Sequence, residues 1–542
     1  MRYNIITVIV FLLIGNLATA QSHNEEVTIE GSYTPHIKKS ERIVITPEMP
    51  KREFEIPHYE VNTEDFFYNY KVDSEPVSPM QYKLENTDDI TDNFIKFGLG
   101  TRLSPDFVFR HYSDITRKMS LGLGIIHNST WTNMKGYDNS KYMNNAFKLS
   151  TTNRFSGFQL HSYIDYHYDT YHLNTDNDTD NDKRDIHSLN VKLLANNNQT
   201  SYKSLYNDLL LDYNYSGIQG GMQENYLRFK AHLEHSNSWF RNSDGVQTLS
   251  LDIDADIDNI SQTLFMISAN PYLAFDGEYY NLHLGFRVDA KTSSTSIGGI
   301  YPDLRGSLYL FNRNFELYAR LGGKTKINTL KEILAENPFI VSDLTNMGEF
   351  DYEKTKIDFQ GGLNFKVLNK VSTRLGIRYR NVNNYIFFKD TYNELDNELG
   401  TFDIVLDNCT IFNFLADIQM KINDDIKVAA DFAYNHFERV GQVEPWYEPK
   451  VKFNLRGFYN LDEKWNFNIT TYFEGKRYAY KSESKSMKLK PVCDIQLGCD
   501  YNLKDNLSFY GEIRNLIHNK YQIYYDYPSY GFQIFVGFKY RF

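Results

Sequence analysis

Alternating aspartates are the first residues in the sequence whose type and spacing could do chemistry. They are Asp252, Asp254, Asp256 and Asp258. Alternate residues of a β-strand share one face at intervals of about 6.7 Å, so these carboxylates would form a ladder. The ladder could attract cations. It could also pair with the preceding segment, where Arg228, Lys230 and His232 share one face, and we favour pairing.

A second column, of opposite charge, is formed by Arg374, Arg378 and Arg380. The same two interpretations apply to it, and we again expect pairing with neighbouring strands. If the sequence forms a membrane barrel, both columns lie on the wall of the water-filled lumen.

The remaining candidates for chemistry are weak. Asp176 to Asp182 alternate as in a calcium loop, but Asn181 replaces the required Gly and His187 the required Glu, which favours a solvated loop. Cys493 and Cys499 would share a strand face roughly 20 Å apart, too far for a disulfide, and Cys409 completes an odd count of 3. Because no catalytic triad, zinc spacing or phosphate-binding glycine loop is recognisable, the sequence predicts no enzyme, cofactor or metal site.

The elements that must position these residues show a period of two. Residues 532–542 read FQIFVGFKYRF, with Phe538, Tyr540 and Phe542 on the apolar face and Lys539 and Arg541 opposite. A membrane barrel strand needs this alternation, although the edge strand of a soluble sandwich can show it too. A terminal Phe closing an aromatic strand resembles the assembly signal of bacterial outer-membrane proteins. We therefore predict recognition of these three aromatics by the barrel assembly machinery.

Composition excludes other classes. The 542 residues include 15% aromatics, yet the mean hydropathy is −0.52. Helical membrane proteins need runs of about 20 apolar residues, and disordered proteins are poor in aromatics. A net charge of −11 argues against nucleic acid as a partner. The sequence therefore predicts an all-β, transmembrane antiparallel barrel surrounded by outer-membrane lipids.

Three regions are predicted. Residues 1–20 have the basic Arg2, an apolar stretch and Ala18-Thr19-Ala20, as in a cleavable signal peptide for export in a Gram-negative bacterium. Residues 21–91 contain 6 of the 14 prolines and are predicted to be an extended periplasmic or lumenal segment. Residues 92–542 are predicted to form the barrel, with about 20–22 strands, or 16–18 longer ones. Short Asn/Asp/Gly turns, such as Asn312-Arg313-Asn314, alternate with longer polar loops, such as Asn328 to Tyr352. The region 94–120 is ambiguous because Ser104-Pro105 could be a turn or a bulge. Aromatic residues at strand ends, such as Tyr459, Tyr472 and Phe473, are expected in an outer aromatic girdle.

The last 80 or so residues resemble the end of a TonB-dependent receptor barrel of the Bacteroidetes type. The resemblance rests on LSFYGEIRNL at 507–516, HNKY at 518–521, a Tyr/Pro loop and the aromatic strand that ends at Phe542. It implies solute transport across the outer membrane. Such receptors carry a globular plug before the barrel, and no plug is recognisable here. Glu26 to Gly31 resembles a TonB box, so TonB is a candidate partner.

Two functions follow as expectations. The first is a solute pathway gated by residues 21–91. The second is a non-transporting barrel in an envelope complex with lipoprotein or periplasmic partners. A barrel of about 22 strands would be roughly 40–45 Å wide. We therefore expect its lumen to be closed by the N-terminal segment with inward loops, or by a partner protein.

Overall fold

The computed structural model describes residues 93–134, 140–173, 183–197, 205–237, 246–260, 262–292, 297–342, 352–367, 370–391, 400–439, 444–462, 464–482 and 485–542. The predicted signal peptide and N-terminal segment, the TonB-box resemblance and the Asp176 to Asp182 loop lie outside these residues.

Twenty-six strands and one helix, α1 (Leu330–Glu336), occur in the described residues. The strands are β1 (Phe94–Gly100), β2 (Ser104–Thr116), β3 (Met119–Thr130), β4 (Tyr142–Arg154), β5 (Phe158–His172), β6 (Lys183–Asn197), β7 (Tyr206–Ile218), β8 (Gln223–Asn237), β9 (Val246–Asn259), β10 (Thr263–Asp276), β11 (Tyr280–Lys291), β12 (Ile297–Leu310), β13 (Phe315–Ile327), β14 (Tyr352–Val367), β15 (Val371–Asp390), β16 (Phe402–Lys421), β17 (Ile426–Arg439), β18 (Val451–Leu461), β19 (Trp465–Glu474), β20 (Tyr478–Ser482), β21 (Lys485–Lys488), β22 (Val492–Lys504), β23 (Leu507–Arg514), β24 (Gln522–Tyr524), β25 (Tyr527–Pro528) and β26 (Gln533–Arg541).

Twenty-two of these strands form one antiparallel sheet that closes on itself. Each strand pairs with the next in sequence, except that the hairpins β20–β21 and β24–β25 stand outside the sheet. The ring is completed where β1 pairs with β26, from Phe94 opposite Arg541 to Gly100 opposite Phe535. The predicted closed barrel is confirmed, at the upper end of the expected strand count.

The two-residue period separates the faces of the sheet as expected. On β26, Val536 is 59% exposed on the outer face, whereas the neighbouring Phe535 is 1% exposed and faces inward. The outer faces of the other strands carry Leu, Ile and Phe. Charged residues such as Asp256 and Asp289 lie buried on the inner faces. Strands with such alternation bury polar and apolar residues on opposite sides, which fixes their register.

An aromatic row crosses five neighbouring strands on the outer face near one end of the barrel. Register places five rings on five neighbouring strands: Trp465, Tyr501, Phe509, Phe538 and Phe97. Ring centroids are 4.6 Å apart for Trp465 and Tyr501 and 6.2 Å apart for Phe97 and Phe538. Phe538 of the predicted assembly signal therefore belongs to a continuous surface feature.

The closing strands leave room for one inward-facing tyrosine. The ring of Tyr510 lies where a side chain at Gly98 or Gly537 would point. Lys96 and Lys539 approach the same ring, at 4.9 and 5.4 Å from its centroid. The two glycines thus allow Tyr510 to pack flat against the seam of the ring, beneath two ammonium groups.

Short connections gather at one end, here called the turn end. Asn93 and Phe542 also lie there, joined by a backbone hydrogen bond of 3.1 Å. The predicted turn at 312–314 is tight, with positive φ at Asn312 and Arg313 of 56° and 63°. At the other end, Arg102 and Leu103 (φ 66° and 49°) make the turn between β1 and β2, which resolves the ambiguity at Ser104-Pro105.

Longer connections gather at this opposite end, here called the loop end. They include residues 328–342 with α1, residues 475–491 with β20–β21, and residues 515–532 with β24–β25. The sequence predicted a loop from 328 onwards but not its helix. No helix in the described part of the chain combines the length and apolar character needed to cross a membrane.

Candidate functional site in the barrel interior

The aspartate ladder lies on the inner face of β9. Leu249 and Ile257 of the same strand are 54% and 41% exposed on the outer face, whereas Asp256 is 1% exposed. The direct cross-strand partners of Asp256, Asp254 and Asp252 on β8 are Arg228, Lys230 and His232. The ladder therefore faces a basic column at the spacing of adjacent strands.

Three of the four aspartates are paired with that column. Arg228 Nε lies 2.6 Å from Asp256, Lys230 Nζ 3.7 Å from Asp254, and His232 Nδ1 2.6 Å from Asp252. The hydroxyl of Tyr226 also donates to Asp256, at 2.7 Å. Asp258 differs, because both its carboxylate oxygens are buried without a hydrogen-bond partner. The ladder is therefore paired with basic side chains at three of its four positions.

Ion pairs continue along the neighbouring strands β11 and β12. Arg287 bridges Asp254 and Asp289, at 3.3 and 2.7 Å. Asp303 accepts hydrogen bonds from His283 at 2.9 Å, Asn270 at 3.0 Å and both ends of the Arg305 guanidinium at 3.0 and 3.1 Å. The acceptor capacity of Asp303 is thus filled by its neighbours.

The arginine column on β15 faces inward, as its alternation with Leu375, Ile377 and Tyr379 predicts. Arg378 makes a two-pronged ion pair with Asp358 on β14, at 2.8 and 2.7 Å. Arg374 donates to the side chain of Asn364 at 3.2 Å, and Arg380 Nε is buried without a hydrogen-bond partner. The three arginines therefore share a face but differ in their partners.

Sequence reasoning missed two further arginines in this sector. Arg305 on β12 and Arg320 on β13 lie directly opposite each other in the register. Both arginines alternate with leucines, so the two-residue period could have predicted that their side chains face inward. The leucines are Leu304, Leu308, Leu317 and Leu321. Their proximity could not be inferred, because it depends on which strands are neighbours and in what register.

At the loop end, loops and strand ends from separate sectors of the ring meet in one buried apolar cluster. We call it the loop cluster, and it includes Tyr142, Tyr171, Ile186, Ile218, Leu330, Ile333, Leu334, Phe339, Ile340, Val341, Phe387, Phe388, Phe402, Trp446, Tyr447, Tyr521, Ile523, Tyr524, Tyr527 and Tyr530. Burial of side chains this large is the main source of stability in such a cluster.

Phe339, which is fully buried, shows how far the loop cluster reaches. Its ring stacks on Tyr527 at 3.7 Å between centroids and meets the ring of Tyr171 edge-on at 5.8 Å. Its carbonyl accepts a hydrogen bond of 3.0 Å from Phe402 N. Phe339 thus contacts elements from three sectors of the barrel, so residues 328–342 extend across the loop end.

Polar anchors fix this crossing segment. Arg184 on β6 is 3% exposed and donates to the carbonyls of Pro338, at 3.1 Å, and Ile340, and to the hydroxyl of Ser342 at 3.0 Å. At the start of α1, Thr329 caps the helix, and Glu224 on β8 accepts from the N–H groups of Leu330 and Lys331. The anchoring residues come from β6 and β8, far along the sequence from α1.

Two carboxyl groups lie beneath the loop cluster. Burial, and then repulsion from Glu448, raises the pKa of Glu336 at the end of α1 to about 8. Burial likewise raises the pKa of Glu448, whose carboxylate accepts a hydrogen bond of 3.0 Å from Tyr385. The loop end therefore contains one acid, Glu336, that holds its proton near neutral pH.

The described residues contain no group of three or more His, Cys, Asp or Glu side chains placed to hold a metal ion. Cys409, Cys493 and Cys499 are free. Tyr472, which we expected in an outer aromatic girdle with Tyr459 and Phe473, instead bonds to the inward-facing Glu474. That expectation is wrong for Tyr472, because a tyrosine hydroxyl near a strand end can also satisfy a lumenal carboxylate.

No protein-family model matches the sequence, and no curated protein matches it. Solved structures do match. The siderophore receptor PirA from Acinetobacter baumannii is 12% identical, with a TM-score of 0.64 over 84% of this chain and 81% of that one. The copper transporter OprC is 12% identical, with a TM-score of 0.61 over 85% and 84% of the two chains. The ferric-catecholate import receptor Fiu from E. coli K12 is 9% identical, with a TM-score of 0.63 over 84% and 82%. At these identities the likeness shows the fold.

Proposed function

We propose that this chain is an outer-membrane β-barrel of the TonB-dependent receptor kind that takes up a solute. The observation that carries the proposal is a closed ring of 22 strands with an apolar outer face, a charged inner face and loops that meet over one end. An apolar exterior suits lipid, and a closed ring leaves no unpaired strand edge in the membrane. The aromatic row near the turn end suits the boundary between lipid and water.

The solved structures with a similar fold support this proposal. They are described as receptors or transporters for siderophores and copper. We infer that this chain takes up a solute of similar size, with TonB as the partner that supplies energy, and that Phe538, Tyr540 and Phe542 are read by the barrel assembly machinery. The Bacteroidetes type, the export signal at 1–20 and the N-terminal segment remain predictions.

The first experiment tests the barrel in its membrane. Full-length protein expressed in a Gram-negative host should appear in the outer-membrane fraction. It should also migrate faster on SDS gels before boiling than after, because a closed barrel stays folded in SDS. Protein recovered from the soluble fraction would overturn the proposal.

The second experiment tests transport. A deletion strain should lose growth on a limiting solute, and re-expression of the full chain should restore it. Ferric siderophores, copper and sugars are the first solutes to try, in strains with and without TonB. If no solute-dependent defect appears and the protein copurifies with stoichiometric lipoproteins, the chain is instead a structural component of an envelope complex.

A further inference from the structure

We propose that the inner wall formed by β12 to β15 contains a binding site for the anionic oxygens of a carboxylate or phosphate compound. The site consists of Arg305, Arg320, Arg378 and Arg380, with Gln360 among them. It rests on the proposed function and deepens it, because it assigns a chemical class to the solute.

The register brings these residues together. Arg320 lies directly opposite Arg305 on one side and Gln360 on the other, and Gln360 lies opposite Arg378. One level closer to the loop end, Asp358 lies opposite Arg380. With strands about 4.8 Å apart, the row from Arg305 to Arg378 spans roughly 14 Å of the wall. This span suits a ligand with more than one anionic group.

The positive charge of this wall is only partly compensated. Four guanidinium groups face two carboxylates, Asp303 and Asp358. Arg305 pairs with Asp303, which also accepts hydrogen bonds from His283 and Asn270. Arg378 pairs with Asp358 through two hydrogen bonds. Among the described residues, Arg320 and Arg380 have no ion-pair partner, and Arg380 Nε is buried without a hydrogen bond. Two guanidiniums therefore remain available for an added anion.

The arrangement also has an energetic cost in the absence of a ligand. Like charges directly opposite each other on paired strands destabilise a sheet, and Arg305 and Arg320 are such a pair. The pairing of β8 with β9 avoids such repulsion, because each basic residue of the β8 column faces an aspartate of the ladder on β9. An anion bound between the guanidiniums would remove this repulsion and supply charge-assisted, two-pronged hydrogen bonds.

Position makes the site relevant to a solute in transit. Arg320 is the sixth residue of β13, whose first residue is Phe315 at the turn end. At about 3.3 Å per residue it lies some 17 Å along the strand, well inside the barrel. The Arg305 side chain is 46% exposed to the interior. A solute that crosses the lumen would meet these guanidiniums on its way.

The experiment is isothermal titration of full-length protein in detergent with citrate and with inorganic pyrophosphate, the carboxylate and phosphate sources of the same chemistry. Wild type should bind at least one of them, and more weakly as salt rises. Arg320→Gln and Arg380→Gln should each weaken binding about tenfold, the loss of one charge-assisted contact. Arg320→Lys should retain more affinity than Arg320→Gln.

Arg154→Gln is the matched control. Arg154 is an exposed arginine of the inner face at the turn end of β4, outside this sector, and donates to Ser120. Its affinity should equal that of wild type. Gel mobility before and after boiling shows whether each variant is folded. If folded wild type binds neither anion, or if Arg154→Gln loses as much affinity as Arg320→Gln, this inference is wrong. That result would not contradict the proposed membrane insertion and solute uptake, which the two experiments above test separately.

Discussion

Asp256 illustrates what single charged residues do inside this barrel. It is 1% exposed and accepts from both Tyr226 and Arg228, at 2.7 and 2.6 Å. Its neighbours Asp254 and Asp252 face Lys230 and His232 on β8. Three of the four aspartates therefore pair with side chains of the barrel wall, whereas the Asp258 carboxylate has no hydrogen-bond partner.

We expect Asp256→Asn to lower the free energy of unfolding by about 2 kcal/mol. The substitution leaves Arg228 without its counter-charge, a loss that is moderated because the Arg228 side chain is 32% exposed. Urea unfolding of the protein in lipid vesicles measures the change. Asp424→Asn is the control, since Asp424 is 93% exposed in a turn beside Lys421 and its removal should leave stability nearly unchanged. Equal effects at the two positions would contradict the structural role of the ladder.

At the scale of elements, the strands were predictable because their pattern is local. The alternation in β9, β15, β18, β19 and β26 identifies an apolar face without knowledge of any neighbour. The loop cluster was not predictable in this way. Phe339, Tyr527 and Tyr171 meet across the barrel although they are far apart in sequence. Likewise, Arg184 donates to the backbone carbonyl groups of residues 338 and 340, and no residue type in the sequence identifies which carbonyl groups will accept such bonds.

The contact of β1 with β26 leads to a prediction about Gly537. A methyl group there would lie 2.6 Å from Tyr510 Cε1 and 2.7 Å from Gly98 Cα. Gly537→Ala should therefore destabilise the barrel by about 1–3 kcal/mol, the usual range for overpacking. The measure is the temperature at which the fast-migrating gel band disappears. Gly511→Ala on β23 is the control, because nothing lies within 4 Å of its added methyl. An unchanged transition in Gly537→Ala would contradict the tight seam.

The loop containing α1 should respond to pH through Glu336. Its pKa is about 8 in the folded loop against a usual 4.5. The unfolded loop thus releases a proton over this interval while the folded loop keeps it. The resulting stabilisation is complete below about pH 4.5 and is lost as pH rises through about 8. We expect protease cleavage at 328–342 to become faster from pH 5 to pH 8.

Glu336→Gln should weaken that pH dependence. Glu332→Gln on the same helix should leave it intact, because the Glu332 side chain is 61% exposed. If both variants retained the dependence of wild type, another group would be responsible for it.

For the whole molecule, the loop cluster predicts poor conduction. Full-length protein in planar bilayers should show small, infrequent openings, because residues 328–342 cross the loop end and are held there by Arg184. Replacing residues 330–341 by a short glycine linker should raise the conductance several-fold, and Arg184→Leu should increase the opening frequency. A wide, permanently open pore in wild type would contradict closure by the loops.

The seam between β1 and β26 also constrains how the chain is made. Thr101 and Ile534, which meet there, are 433 residues apart. No intermediate that lacks β26 can have all its strands paired, so ring closure must wait until β26 has been synthesised and delivered. A nascent or truncated product ending before residue 533 would expose two open strand edges, on β1 and β23, and such edges recruit other chains. We therefore expect factors that shield those edges until β26 arrives to improve the yield of folded protein.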